Sequence, residues 1–147
     1  MDKKITTYFL KIIRNKYEKV RARYMEDEEN YYLCDGYFMR AVKKDEMELN
    51  IKLFKEAERL KEVLENAKDE KYKDAEIKYY IPDKLNKGKF VIKIANEETK
   101  SYISNKYLEL FKDCNKFKII SELKPVLCYQ DETFLGLILP IRVEKEY

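Results

Sequence analysis

Residues 30–43 read NYYLCDGYFMRAVK, two short runs of β-prone residues on either side of Asp35-Gly36. Asp-Gly is a favoured centre for the type I′ turn of a two-residue hairpin, so the stretch predicts an antiparallel strand pair. What flanks it has a different period. On the N-terminal side, Ile5, Phe9, Ile12, Ile13 and Lys16/Tyr17 recur at helical spacing, with Thr6 or Thr7 available as N-cap. A hairpin set between helical segments predicts an α+β domain, with helices packed on antiparallel sheets.

The first helix has one apolar face. Its other face, with its extension, is basic: Lys3, Lys4, Lys11, Arg14, Lys16, Lys19, Arg21 and Arg23 stand against Asp2 and Glu18 alone within residues 1–25. Two readings are open. The cations either form a solvated helix face or make a phosphate-contacting stripe, since Lys and Arg that displace condensed counterions bind nucleic acid without regard to sequence. The acidic run Glu26-Asp27-Glu28-Glu29 reads as a solvated turn rather than a metal patch, because adjacent carboxylates on a turn seldom converge on one ion.

On the C-terminal side of the hairpin, Leu49, Leu53, Ala57, Leu60 and Leu64 form a stripe over residues 46–66, with Phe54 and Val63 beside it. This predicts a long surface helix packed on a sheet. Its opposite face mixes Glu58, Lys61, Glu62 and Glu65 and is nearly neutral, so it is no second phosphate stripe. A charged linker at 68–74 leads to AEIKYYI, a strand with Ile77, Tyr79 and Ile81 inward. Pro82 breaks that strand, and Gly88 closes the return to KFVIKIA with Phe90, Ile92 and Ile94 inward. Residues 100–103 read as a short strand entering a cap at Ser104 or Asn105. The helix KYLELFKDC follows, with Tyr107, Leu108 and Phe111 as its buried face. Three strands come last, FKIISE, PVLCYQ and TFLGLILPIRV, the final one apolar enough to be central. The expectation is a single domain over 1–147, in halves of about 1–95 and 96–147.

Of the 147 residues, 40% are charged and 45% hydrophobic, which suits one globular domain. Lys and Arg number 31 against 28 Asp and Glu, so the net charge of +3 names no partner. No run of about 18 apolar residues exists, and the start, MDKKITTYFLKIIRNK, lacks the apolar core of a signal peptide. A cytoplasmic protein without a membrane partner is expected. Cys34, Cys114 and Cys128 are odd in number and form no CxxC pair, so they predict buried or half-buried thiols rather than a disulfide framework or a zinc site. The chain has no histidine and three isolated glycines, Gly36, Gly88 and Gly136. Ser-His and Cys-His nucleophile pairs, HExxH zinc sites, and GxxxxGK[ST] or GxGxxG phosphate cradles therefore drop out. The expectation is no metal, no cofactor and no enzyme. Only carboxylate chemistry, as in glycosidases or two-metal nucleases, stays open, and 28 scattered acids single out no pair.

The end of the chain also carries a family likeness. Asn105-Lys106-Tyr107-Leu108-Glu109-Leu110-Phe111, then a strand, then Lys124-Pro125-Val126, then a terminal strand ending Leu139-Pro140-Ile141-Arg142-Val143, resembles the last domain of the bacterial DNA polymerase sliding clamp, the β clamp. The likeness covers about the last 45 residues. It implies sheets outside and helices lining a DNA-filled ring. It also implies that Leu137, Leu139, Pro140, Ile141 and Arg142 match positions at the family's pocket for peptide motifs of replication and repair proteins. Half of that pocket comes from a neighbouring domain, and the other reading of these residues is ordinary core strand. The helix at 46–66 has no counterpart in the clamp pattern. One domain cannot close a ring, so such a chain would oligomerise or act otherwise. Short clamp-like proteins occur in phages of low-GC bacteria, which would place the protein in the host cytoplasm.

The function expected is that of a non-enzymatic, clamp-like binding protein engaging DNA weakly and salt-sensitively, a replication or other nucleic-acid-processing protein, or both. The alternative is a phage-encoded inhibitor that blocks a host defence or replication nuclease complex by protein contact. Sheet edges and the hairpin tyrosines Tyr31, Tyr32 and Tyr37 are the expected contact surface for a partner or for a homodimer.

Overall fold

The computed structural model describes residues 1–82 and 89–143. The chain has a mixed α+β fold and falls into two compact units, Met1–Asn66 and Ala67–Tyr147. The division comes at 66/67, inside the first of the two halves expected from the sequence.

In the first unit, α1 spans Lys3–Arg14 and buries Ile5, Phe9 and Ile12. Its cap is Asp2 rather than Thr6 or Thr7: the Asp2 carboxylate accepts the Lys4 amide at 2.7 Å, which satisfies a free donor of the first turn and brings Lys3 and Lys4 inside the helix. The helix stops at Asn15, whose carboxamide accepts the amides of Tyr17 and Glu18 and turns the chain. Lys16 and Tyr17 thus lie beyond it, and Tyr17 is 83% exposed. The Phe9 ring meets Phe38 at 5.7 Å and Phe54 at 5.3 Å, an aromatic centre for this unit's core.

Strands β1 (Arg23–Glu26), β2 (Asn30–Cys34) and β3 (Phe38–Lys43) run antiparallel, and β4 (Lys55–Glu56) lies parallel to β1, giving the order β4-β1-β2-β3. The hairpin is where the sequence puts it, with a different turn. Gly36 has φ +98° at the first central position, and Tyr37 is not left-handed, which is the pattern of type II′ rather than I′. The buried Asp35 carboxylate holds the turn by accepting the amides of Tyr37 at 2.8 Å and Phe38 at 3.1 Å.

The long helix expected at 46–66 is not formed. Only Leu60–Asn66 is helical (α2), and before it come two 3₁₀ turns and β4. The reason is a competing partner. The amides of Lys55 and Ala57 donate to the carbonyls of Ala22 and Tyr24, and Asn50 caps the turn at Lys52, so the backbone spends its donors on β1. Leu49, Phe54, Ala57 and Leu60 are buried all the same, whereas Leu53 is 49% exposed.

The second unit carries β5 (Lys73–Pro82), β6 (Phe90–Ala95), β7 (Lys100–Ser104), β8 (Lys116–Ile119), β9 (Val126–Gln130) and β10 (Thr133–Ile138). Neighbours are antiparallel in the order β10-β9-β8-β5-β6-β7. The expected linker cedes residues 73 and 74 to β5. A bulge between Ile77 and Tyr79 shifts the register, and Tyr79, expected inward, is 42% exposed, while Ile81 on the same face is buried as expected. Phe90, also expected inward, opens β6 at 40% exposure. The return expected at Gly88 lies outside the described residues. Ser104 caps α3, but α3 is the single turn Asn105–Leu108 rather than a helix through residue 114. Leu110 and Phe111 are buried just past it, while Tyr107 and Leu108 are half-buried.

The last strand is shorter than expected. Strand β10 buries all four residues from Leu135 to Ile138, then ends before Pro140, which has no amide to continue a ladder. The segment 139–143 has no regular secondary structure. It crosses to β7, where the Ile141 amide donates to the Tyr102 carbonyl at 2.8 Å, and Ile141 and Val143 pack on Ile81, Val91 and Tyr102.

Candidate nucleic-acid and partner interfaces

At 3.6 residues per turn, Lys3, Lys4, Lys11 and Arg14 fall within an arc of about 100° on α1, opposite the buried Ile5, Phe9 and Ile12. All four are exposed, as are Lys16 and Lys19 beyond the helix. No acidic residue lies between Lys3 and Arg14. Among the described residues, Lys3, Lys4, Lys11, Arg14 and Lys19 enter no salt bridge, and Lys16 sits 5.9 Å over the ring of Tyr17. Thr7, Leu10, Lys11, Arg14 and Asn15 line a depression along this face.

The remaining two cations of the sequence stripe are committed elsewhere. Arg21 is half-buried. Its guanidinium lies 3.3 Å from the Asp35 carboxylate, 3.3 Å from Glu18 and 5.4 Å from the Tyr37 ring. Burial works against its charge, but Asp35, with Tyr8 and Glu18, holds it above its ordinary range. The Tyr8 hydroxyl also donates to Asp35. Arg23 is half-buried as well, its Nε donating to the Val20 carbonyl at 3.3 Å.

The three hairpin tyrosines separate. Tyr37 is 51% exposed at the turn. Tyr31 is half-buried, edge-on to Tyr24 at 6.0 Å and under the Lys44 ammonium at 5.3 Å. Tyr32 belongs to the core, and its hydroxyl donates to Asp27 at 2.6 Å. Burial and that carboxylate push the Tyr32 phenol up to about 12. Against the cost of partial burial, Tyr32 and the amides of Asn30 and Glu29 hold the Asp27 carboxyl below its usual range. Asp27 thereby caps the acidic turn.

In the second unit, Leu139, Pro140, Ile141 and Arg142 line one cleft of about 570 Å³ together with Lys100, Tyr102, Glu122, Leu123 and Val143. Leu137, grouped with them in sequence, is buried in β10 instead. Leu123 is 75% exposed and Leu139 40%, and Lys100 pairs with Glu122 at 3.8 Å. Sequence reasoning missed Leu123, whose only signal is an apolar residue set in the turn SELKP. It also missed the exposed Phe90.

The three thiols differ. Burial pushes Cys34 up, whereas a hydrogen bond with Cys128 brings the half-buried Cys114 down to about 7, against the opposing effect of its own burial. Among the described residues no group of three acidic or thiol side chains is placed to hold a metal ion, and no helix is long and apolar enough to cross a membrane. Comparison with protein-family models, with curated proteins and with solved structures found no match to this chain.

Proposed function

We propose that this chain is a non-enzymatic binding protein that engages nucleic acid through the basic face of α1. One observation carries the reading: four cations share an exposed helix face with no acidic residue and no ion pair among the described residues. An ordinary solvated face mixes its signs, because like charges at helical spacing repel. A one-signed face finds its compensation in a polyanion, and counterion release makes that binding independent of sequence. Lys3 and Arg14 are about 16 Å apart along the axis at 1.5 Å per residue, long enough to follow a phosphate backbone. With about four phosphate contacts, affinity for duplex DNA should fall roughly a hundredfold between about 50 mM and about 200 mM salt. Reversing the sign with Lys4→Glu, Lys11→Glu and Arg14→Glu should abolish binding in an anisotropy titration without changing the helical circular dichroism. A wild-type chain that does not bind duplex at low salt ends this reading.

A second reading is favoured by the cleft of the second unit. Exposed Leu123 and Leu139 beside Arg142 offer apolar anchorage next to a charge, which suits capture of a protein segment. The sliding-clamp likeness points to Leu139 and Arg142 among these residues, and a phage-encoded inhibitor of a host nuclease complex would use such a contact without any DNA affinity. Pull-down from lysate with and without nuclease separates the two readings. Partners lost on nuclease treatment belong to α1. Partners retained after nuclease but lost in Leu123→Asp belong to the cleft.

A further inference from the structure

Exposed aromatic rings gather at one end of the β5–β6 ribbon in the second unit. Tyr80 is 54% exposed and Phe90 40%, and their rings meet edge-on with centroids 6.4 Å apart. Phe90 has no hydroxyl to keep wet, so leaving its ring in water forfeits burial for no structural return. The cross-strand register explains the pairing: Tyr80 faces Ile92 and Pro82 faces Phe90, which puts Tyr80 and Phe90 diagonally on one face. Ile92, opposite Tyr80 on the same face, is fully buried, so the rings stand next to buried core.

Two lysines flank the rings in sequence. Lys78 and Lys89 are exposed beside them, and the nearest acids along the chain are Glu76 and Asp83. The Lys78 ammonium has a distant contact to Glu76 at 3.9 Å, and at 85% exposure of the Glu76 side chain this pair is screened by water. Tyr79 lies on the opposite face, as successive strand residues must. Its ring sits under the Lys93 ammonium at 5.2 Å, and its hydroxyl accepts from the same group at 3.1 Å, so Tyr79 is already engaged.

We propose that Tyr80 and Phe90 form a stacking platform for the bases of a single-stranded nucleic acid, with Lys78 and Lys89 meeting its phosphates. Exposed aromatic faces bordered by lysine are the chemistry that holds unpaired bases, because every base has a π-face and the backbone is anionic. A duplex hides its base faces, so this site selects single strands. It goes beyond the α1 reading, resting on different residues in the other unit.

The test is anisotropy with a labelled polythymidine of about 15 nucleotides, which exceeds one platform, at low salt. The double variant Tyr80→Ala/Phe90→Ala should lose about ten- to a hundredfold in affinity. The paired variant Tyr80→Phe/Phe90→Tyr should retain it, which guards against a folding artefact, and Tyr79→Ala should bind as wild type. The α1 charge reversal should bind the oligonucleotide within a few-fold of wild type while losing duplex. An oligonucleotide that does not bind the wild-type chain overturns the proposal, as does equal binding by wild type and by Tyr80→Ala/Phe90→Ala. If the α1 reversal removes both duplex and single strand while the aromatic variant removes neither, the platform fails and the α1 reading stands.

Discussion

Asp35 has no exposed side-chain surface, and four donors converge on it: the Tyr8 hydroxyl, the Arg21 guanidinium and the amides of Tyr37 and Phe38. A buried carboxylate with that many partners organises its surroundings, and here it withdraws Arg21 from the basic stripe. Nothing in the sequence distinguishes Arg21 from Lys19, because the pairing spans 14 residues and depends on how the hairpin turn closes. The exposed members of the stripe were legible for the opposite reason: a one-sided helix fixes its own outward face. Tyr32 and Asp27 give a prediction at this scale. The Tyr32 phenol is raised from 10 to about 12 by burial and by Asp27, so the folded chain holds this proton more tightly than the unfolded chain does. Its contribution is present in full below about pH 10 and disappears as pH climbs from about 10 through about 12. A proton held about a hundredfold more tightly is worth roughly 2–3 kcal/mol at most. Urea unfolding at about pH 9 and about pH 11 should show the decline, and Tyr32→Phe should flatten it. Tyr72, raised to about 12 by burial and Asp69, adds a decline in the same window that survives in Tyr32→Phe. Parallel profiles for wild type and Tyr32→Phe would show that Asp27 does not act through that hydroxyl.

Among the elements, those set by local chemistry match the sequence reading and those set by distant partners depart from it. The β2–β3 hairpin follows from Asp35-Gly36 because turn chemistry acts over four residues. The segment 46–66 has a helical stripe that is buried at Leu49, Ala57 and Leu60, yet its backbone amides at Lys55 and Ala57 find carbonyls on β1 and the residue before it, some 30 residues earlier. Periodicity reports which side chains go inside, and it is silent about which backbone groups pair across the fold. The bulge between Ile77 and Tyr79 is of the same kind, since an inserted residue shifts the pairing register in a way that periodicity does not announce. Helix α1 offers the cleanest test of local control. Asp2→Ala removes the acceptor for the Lys4 amide and should destabilise the chain by about 1 kcal/mol, read as a lower urea midpoint at unchanged slope. Thr6→Ala and Thr7→Ala should shift that midpoint far less, and a larger effect at either threonine would return the cap to the residues that the helical spacing suggests.

At the scale of the whole chain, the net charge of +3 conceals a division. The first 25 residues hold eight cations and two acids, leaving 23 cations and 26 acids for the rest. Binding to polyanions is therefore an expectation for one segment rather than for the average composition. Self-association is an expectation for another place, β7, the last strand in the order of the second unit. A bare strand there would invite pairing with a second copy, and the Ile141 amide on the Tyr102 carbonyl covers it. Ile141→Pro deletes that amide and should raise the dimer fraction in sedimentation over a wide concentration range; identical sedimentation of variant and wild type would show that the segment guards nothing. The cover has a kinetic meaning as well. Tethered a few residues from β10, the segment 139–143 competes for β7 at a local concentration in the millimolar range. A strand arriving from outside must wait for it to leave. The observed association rate at this edge should level off with rising partner concentration, at a ceiling equal to the release rate of the segment, and the apparent affinity is lowered by the fraction of time the edge stands bare.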